Sequence, residues 1–379
     1  MARILLTGGR APVALELARL FHRAGQTVLV AESVPWPMCR GSKAVAGCFH
    51  VPPPNLRPQV FIDALAAVIR RERIDWLIPT CEETLFVAWG KPRLKPLCRV
   101  FTDSFEVLHS LHSKWQFIEL ARSFGLPAPP TELVTTSAQA ARLIAASRRL
   151  VLKPVYSRFG TQTLIRPTRP PHIEPGRPWV AQQILPGRQL CTFSVAHAGR
   201  LVAHSTYAIK FTAGRGAAIH FKAEDHPPAF EWVRQFVAQT RFSGQIAFDF
   251  IETGPGQVAA IECNPRATSG LHLFGPELAG AYFNPNRPLL TPPPGQSAKL
   301  TAALLLYAPF NIRRHGWQSW LAALAGGREV VFNWRDPWPG LVSQWVGLAW
   351  FLGQSARRRV SPTAATTLDI EWNGETMSN

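Results

Sequence analysis

The sequence predicts an α/β protein of two or three domains, and three observations carry the prediction. The first hundred residues alternate short apolar strands with amphipathic helices. A strand–turn–strand unit rich in oxygen-bearing side chains stands two-thirds of the way along. The chain's 379 residues, 46% hydrophobic and 17% charged, describe a folded protein too long for one compact core.

Residues 3–7 read as a buried strand, and Gly8 and Gly9 as the turn after it. A helix over 12–23 follows, with Val13, Leu17, Leu20 and Phe21 on one face, and Gly25 ends it. Residues 27–31 form a second strand. A helix over 61–71 with Ile62, Leu65 and Ile69 at helical spacing leads into a third strand at 76–78. This β-α-β-α-β order implies a parallel sheet with helices on its faces. A dinucleotide fingerprint, with Glu32 as ribose ligand, is excluded. Arg10, Ala11 and Pro12 stand where its second and third glycines belong.

The unit that carries chemistry is the run from Ala247 to Ile251, followed by the run from Ile261 to Arg266. Side chains two apart in a strand share a face, so Glu262 and Asn264 project together. Gly254, Pro255 and Gly256 make a turn that folds the Asp249 strand back against them. Asp249, Glu262 and Asn264 then form a hard-oxygen cluster suited to Mg²⁺, with Mn²⁺ as the alternative ion. Arg266 adds a fixed positive fork for a phosphate or carboxylate oxygen.

At these residues the chain resembles the ATP-grasp superfamily, in particular the carboxylate–amine ligases similar to carbamoyl-phosphate synthase and biotin carboxylase. The resemblance implies a Rossmann-like pre-ATP-grasp domain over 1–108, a two-lobed α+β ATP-grasp core over 109–300, and a C-terminal extension over 301–379. In the loop at 79–83, Glu82 or Glu83 faces the substrate or is simply solvated; both readings stand.

Further landmarks follow in family order. Ser113 and Gln116 are spaced as a capping box that opens a helix ended by Gly125. Lys114 beside them matches a phosphate-contacting lysine. Lys153 closes the strand 150–154, held extended by Pro154, and matches the second nucleotide lysine. The phosphate loop after it departs from the family pattern: only Gly160 is present, helped by Ser157, Arg158 and Thr161. By the resemblance, the backbone of Gln183, Ile184 and Leu185 reads the adenine edge. Gln189 stands where a ribose-binding glutamate is usual. The segment 210–220 supplies substrate-side candidates Lys210, Arg215 and His220, although a lone histidine between Ile219 and Phe221 is more often structural.

The implied activity is an ADP-forming ligation. ATP and Mg²⁺ activate a small-molecule carboxylate as an acyl-phosphate, which an amine captures. An inactive nucleotide-binding relative is the main rival, and a Rossmann-type oxidoreductase a weaker one.

The net charge of +17 raises the question of nucleic acid, but no binding motif accompanies it. Only eight of the 41 basic residues are lysine, so the scattered arginines read as codon bias, and no nucleic-acid partner is expected. Six cysteines without a C-x-x-C pair suggest neither zinc nor a disulfide framework, and favour a reducing, cytoplasmic setting. The tail crowds Trp317, Trp320, Trp334, Trp338, Trp345 and Trp350 around a nearly uncharged stretch at 341–352, too short to span a bilayer. A homodimer contact or a patch over the core is the favoured reading. An interfacial helix backed by Arg357, Arg358 and Arg359 on a membrane surface is the lesser one.

Overall fold

A computed structural model describes residues 1–158, 162–213, 217–375 and 377. Gly160, Thr161 and Arg215 of the sequence reading therefore lie outside the described residues. The N-terminal sheet pairs Gly47–His50, Thr27–Glu32, Arg3–Thr7, Trp76–Ile78 and Arg99–Val100 in that spatial order, all parallel. Its central strand is buried throughout at Ile4, Leu5 and Leu6, which is why it reads as a continuous apolar run. Gly47–His50 alternates half-buried and exposed positions and gave no such signal. Helices Pro12–Arg23 and Pro58–Glu72 each begin with a proline, whose fixed φ suits a first turn.

Among the described residues three further sheets follow, a two-stranded ribbon of Thr212–Ala213 and Ala217–Ala218 and two larger sheets that are antiparallel except for one edge pair. The smaller of these two has four strands: Thr131–Val134, Trp179–Gln183, Leu150–Pro154 and Leu164–Ile165, in that order. Trp179–Gln183 is thus an interior strand. The larger sheet has seven strands, with the hairpin Gln257–Asn264 and Gly244–Gly254 at one edge. Arg188–His197, Arg200–Ile209 and His220–Glu224 continue it, and Ser297–Lys299 and Arg328–Glu329 close the other edge. Behind the hairpin, helix Pro227–Thr240 stacks Trp232 on Phe236 at 5.1 Å, and both meet Phe248.

The helix Lys114–Ser123 starts on half of the expected capping box. Ser113 Oγ accepts from the Gln116 amide at 3.2 Å. The Ser113 amide is already donated to His109 in the preceding helix, Phe105–His112, so the return bond has no donor to meet.

The C-terminal residues are bound into the fold. Residues 302–306 fall in helix Thr301–Leu306, with Tyr307 as its C-cap. Helix Gln344–Arg358 contributes to the lining of the central cleft. The last segment returns to the N-terminal sheet, where Asp369 meets Arg10 and Trp372 packs among Phe105, His109 and Tyr156. Among the described residues no helix is long and apolar enough to cross a membrane.

Candidate active site

Asp249 and Glu262 face each other directly across the hairpin, and Asn264 opposes Ala247 one pleat further on. Directly opposed side chains in an antiparallel pair have Cβ atoms about 5 Å apart, and like charges so placed repel. Burial, then the neighbouring Glu262, pushes the Asp249 carboxyl up from 3.8 to about 6. Its oxygen accepts from the Cys191 thiol at 2.6 Å. Lys114 pairs with Glu262, and Arg266 and Lys153 act on Asp249 electrostatically, yet the Asp249 carboxyl stays raised, and two facing carboxylates of this kind suit a divalent ion. Among the described residues no group of three or more His, Cys, Asp or Glu could hold a metal alone. Two carboxylates and the Asn264 amide oxygen are hard donors of the kind Mg²⁺ takes together with water or phosphate oxygens.

One irregularity aims the hairpin. The register slips between Asp249 and Phe250, so that Ile261 is left without a partner. The Ile261 carbonyl accepts from Lys153 Nζ at 3.2 Å, and the same ammonium reaches Gln182 Oε1 at 3.0 Å. Burial lowers the Lys153 pKa to about 8. Lys114, 3% exposed, comes from beneath the cleft wall to place its Nζ 3.2 Å from Glu262 and 2.7 Å from the Ser157 carbonyl.

Glu82 links the two ends of the site. Its oxygens lie 2.9 Å from Arg266 Nη2 and 2.6 Å from Arg158 Nε. Burial would raise this carboxyl, yet Arg158 and Arg266 hold it down at about 2. Glu83 turns the other way, accepting from Thr7 and from the amides of Thr80 and Cys81. Only Glu82 faces the cleft, and neither carboxylate is solvated.

Against this geometry, a family model for the ATP-grasp domain matches residues 111–270. That stretch of the chain is similar to an ATP-grasp domain. No curated protein matches it. Among solved structures, an N5-carboxyaminoimidazole synthetase from Staphylococcus aureus superposes with a TM-score of 0.60 at 13% identity, over 83% of this chain and 86% of that one. An L-amino acid ligase from Bacillus licheniformis gives 0.56 at 14% identity, over 74% and 69%. A biotin carboxylase from Campylobacter jejuni gives 0.55 at 14%, over 70% and 66%. At such identities the likeness is one of fold.

Within the matched stretch, Lys153, Arg158, Gln183, Ile184, Leu185, Gln189, Asp249, Glu262, Asn264 and Arg266 line one cleft. The amides of Gln183 and Ile184 are already donated to the carbonyls of Pro130 and Arg149. Asn264 Oδ1 accepts from Arg266 at 3.3 Å. Two expected substrate-side residues are not brought to the cleft. Lys210 reaches Ser319 Oγ at 3.3 Å on the exposed surface, and His220 sits in the large sheet opposite Lys299, with its ring edge-on to Phe211. Strand pairing with Ser297–Lys299 places His220, and Lys210 follows the end of strand Arg200–Ile209.

Three features escaped the sequence reading. Cys191 and Tyr207 extend the Glu262–Asp249 row across the large sheet, by direct register. Arg10 fills the turn where a dinucleotide would lie: it bonds Glu32 through its amide and guanidinium, and Asp369 through Nη2 at 2.8 Å. The glycine-poor phosphate loop anchors its arginine on the C-terminal segment, with Arg158 donating to Glu371 and to the Trp372 carbonyl.

Proposed function

We propose that this protein is an ATP- and Mg²⁺-dependent ligase that activates a carboxylate as an acyl-phosphate and joins it to an amine. The observation that carries the reading is the convergence of two buried lysines on a directly opposed carboxylate pair: Lys114 on Glu262, and Lys153 on the bulged carbonyl next to it. The ATP-grasp match supplies the general chemistry, and the L-amino acid ligase likeness fits a C–N product.

Lys153 and Lys114 take the nucleotide phosphates, and Arg158 flanks them. The Leu185 amide is the donor left for the adenine edge, and Gln189 reaches a ribose hydroxyl through its amide. Asp249, Glu262 and Asn264 would hold Mg²⁺, which when bound offsets charge on the phosphates. The substrate carboxylate oxygen attacks the γ-phosphorus as the bond to ADP breaks. Arg266, fixed by Glu82, stabilises the charge on the transferring group. The amine nitrogen then attacks the acyl carbon, inorganic phosphate leaves, and the amine proton passes to solvent or phosphate. The cysteines nearest the site are poor nucleophiles: burial pushes up the pKa of the Cys81, Cys191 and Cys263 thiols. The chain's work is positioning and electrostatics.

The Rossmann oxidoreductase alternative is disfavoured by Arg10, Glu32 and Asp369, which occupy the nucleotide turn with one another. A phosphate-release screen of paired acids and amines with Mg-ATP tests the proposal. Amide product and ADP in equal amounts support it. Tight ATP binding with no ADP from any pair would leave a binding protein only.

A further inference from the structure

We infer that the acid activated here carries a long apolar tail, lodged in an arm of the cleft that the C-terminal extension walls off. This deepens the ligase reading and rests on it. The cleft is a single cavity of about 1050 Å³ that runs past the carboxylates and on to residues 300–370. Single-ligand pockets occupy roughly 300–1,000 Å³. There is room here for more than a nucleotide.

The floor shows how the two parts connect. Glu262, Asp249, Cys191 and Tyr207 lie in one row across four adjacent strands, each opposite the next, and all four line the cleft. At about 4.8 Å per strand, the phenol stands roughly 15 Å from Glu262. The row therefore passes from two carboxylates through a thiol to an aromatic ring. Further along, the cleft lining is largely apolar: Ile209 from the large sheet, Ala218 from a separate two-stranded ribbon, Leu300 and Ala303, and Leu348 and Phe351 from helix Gln344–Arg358, with Ser343, Gln344, Thr363, Thr366 and Thr367 interspersed.

The charged groups bordering this arm are spent on internal partners. Glu329 accepts from the amides of Thr301 and Val331 at 2.8 and 2.9 Å, and Arg10 is held by Glu32 and Asp369. What stays open is hydrocarbon. Leu306 and Leu352 line the cleft, yet are 56% and 46% exposed. Helix Gln344–Arg358 has no fully buried residue, although Leu348 and Phe351 point into the arm. An apolar surface of this extent, continuous with a reaction centre, is the surface a substrate covers. The carboxylate end must sit beside Arg266, and the floor row leads its tail toward Tyr207 and the arm. A fatty-acid-like carboxylate meets both demands.

Calorimetric titration of the full chain with butanoate, octanoate and dodecanoate, with and without Mg²⁺ and a non-hydrolysable ATP analogue, tests this. Affinity is expected to rise about fourfold for each buried methylene. Ala303→Trp, which fills the arm, should flatten the series while analogue affinity stays within about twofold. Leu348→Gln, on a half-exposed helix position, should weaken dodecanoate and spare butanoate, and it keeps the test alive if the tryptophan variant misfolds. Equal affinities along the wild-type series overturn the inference, as does a length dependence that survives both variants. A steeper dependence for alkylamines overturns the assignment to the acid. Wild-type protein that binds dodecanoate in the arm but never the analogue sinks the ligase reading alone.

Discussion

Glu82, on the loop that follows the strand Trp76–Ile78, holds Arg266 at the end of the carboxylate hairpin, with 2.9 Å between Oε1 and Nη2. Two sheets of different origin in the chain are thereby locked at the point where charge would develop. Glu82→Gln leaves Arg158 and Arg266 buried without their shared anion, and should cost about 3 kcal/mol of stability at neutral pH. The pH dependence has a definite sign. The folded carboxyl lies at about 2 against an ordinary 4.5. Its contribution is complete above 4.5 and lost as pH falls through 2. Urea denaturation between pH 2 and pH 7 should give a flatter curve for the variant. Parallel curves would mean that Glu82 does not carry this linkage.

The two facing carboxylates differ in what they anchor. Asp249→Asn removes one of two like charges, so the nucleotide-free protein should keep or gain thermal stability, whereas Glu262→Gln also leaves buried Lys114 without its carboxylate and should lose stability. ADP formation should fall by about 10²–10³-fold, the scale on which a lost electrostatic element is felt. Undiminished turnover in both variants would remove the hairpin from the reaction.

Lys153 offers a test that needs no substrate. Burial lowers its folded pKa to about 8 from 10.5, so between those values the unfolded chain binds more protons and stability rises with pH. A phosphate brought to this ammonium favours its charged form. Analogue binding at pH 8.5 should then take up roughly 0.8 proton, read as a dependence of binding heat on buffer ionisation enthalpy. Lys153→Met should abolish the uptake. Buffer-independent heats in the wild type would place the phosphates elsewhere.

What could be read from the sequence follows from how local each signal is. The hairpin was legible because Gly254, Pro255 and Gly256 mark its turn and because period-two alternation puts Asp249 and Glu262 on one face. The bulge at Ile261 was not, since nothing in an Ala-Ala-Ile-Glu run distinguishes a slipped register from a regular one. Lys114 reads as an exposed first-turn lysine until Glu262, distant in sequence, is folded against it. Glu82 and Glu83 are neighbours of one type, and their opposite directions depend on Arg266 and Thr7, contributed by segments far apart. Lys210 and His220 fall outside the cleft lining for a similar reason: contacts distant in sequence, Ser319 for Lys210 and the Lys299 strand for His220, decide where each lies. The tail was least legible because its tryptophans serve contrary environments.

Two of those tryptophans make the contrast measurable. Trp372 is 5% exposed, with its ring edge-on to Phe105, His109 and Tyr156, and its carbonyl accepts from Arg158 at 2.6 Å. Trp334 is 87% exposed. Trp372→Ala empties an aromatic pocket and slackens the segment between Asp369 and Glu371 that holds Arg10 and Arg158, so it should cost about 3–5 kcal/mol. The loosened segment should also be cleaved faster by trypsin at Arg358 and Arg359, upstream of it, and Mg-ATP affinity should change because Arg158 loses an anchor. Trp334→Ala removes a ring that buries little and should leave both the urea midpoint and the cleavage rate within error of the wild type. If the two variants behave alike, the C-terminal segment does not brace the phosphate loop, and Arg158 is positioned by Glu82 alone.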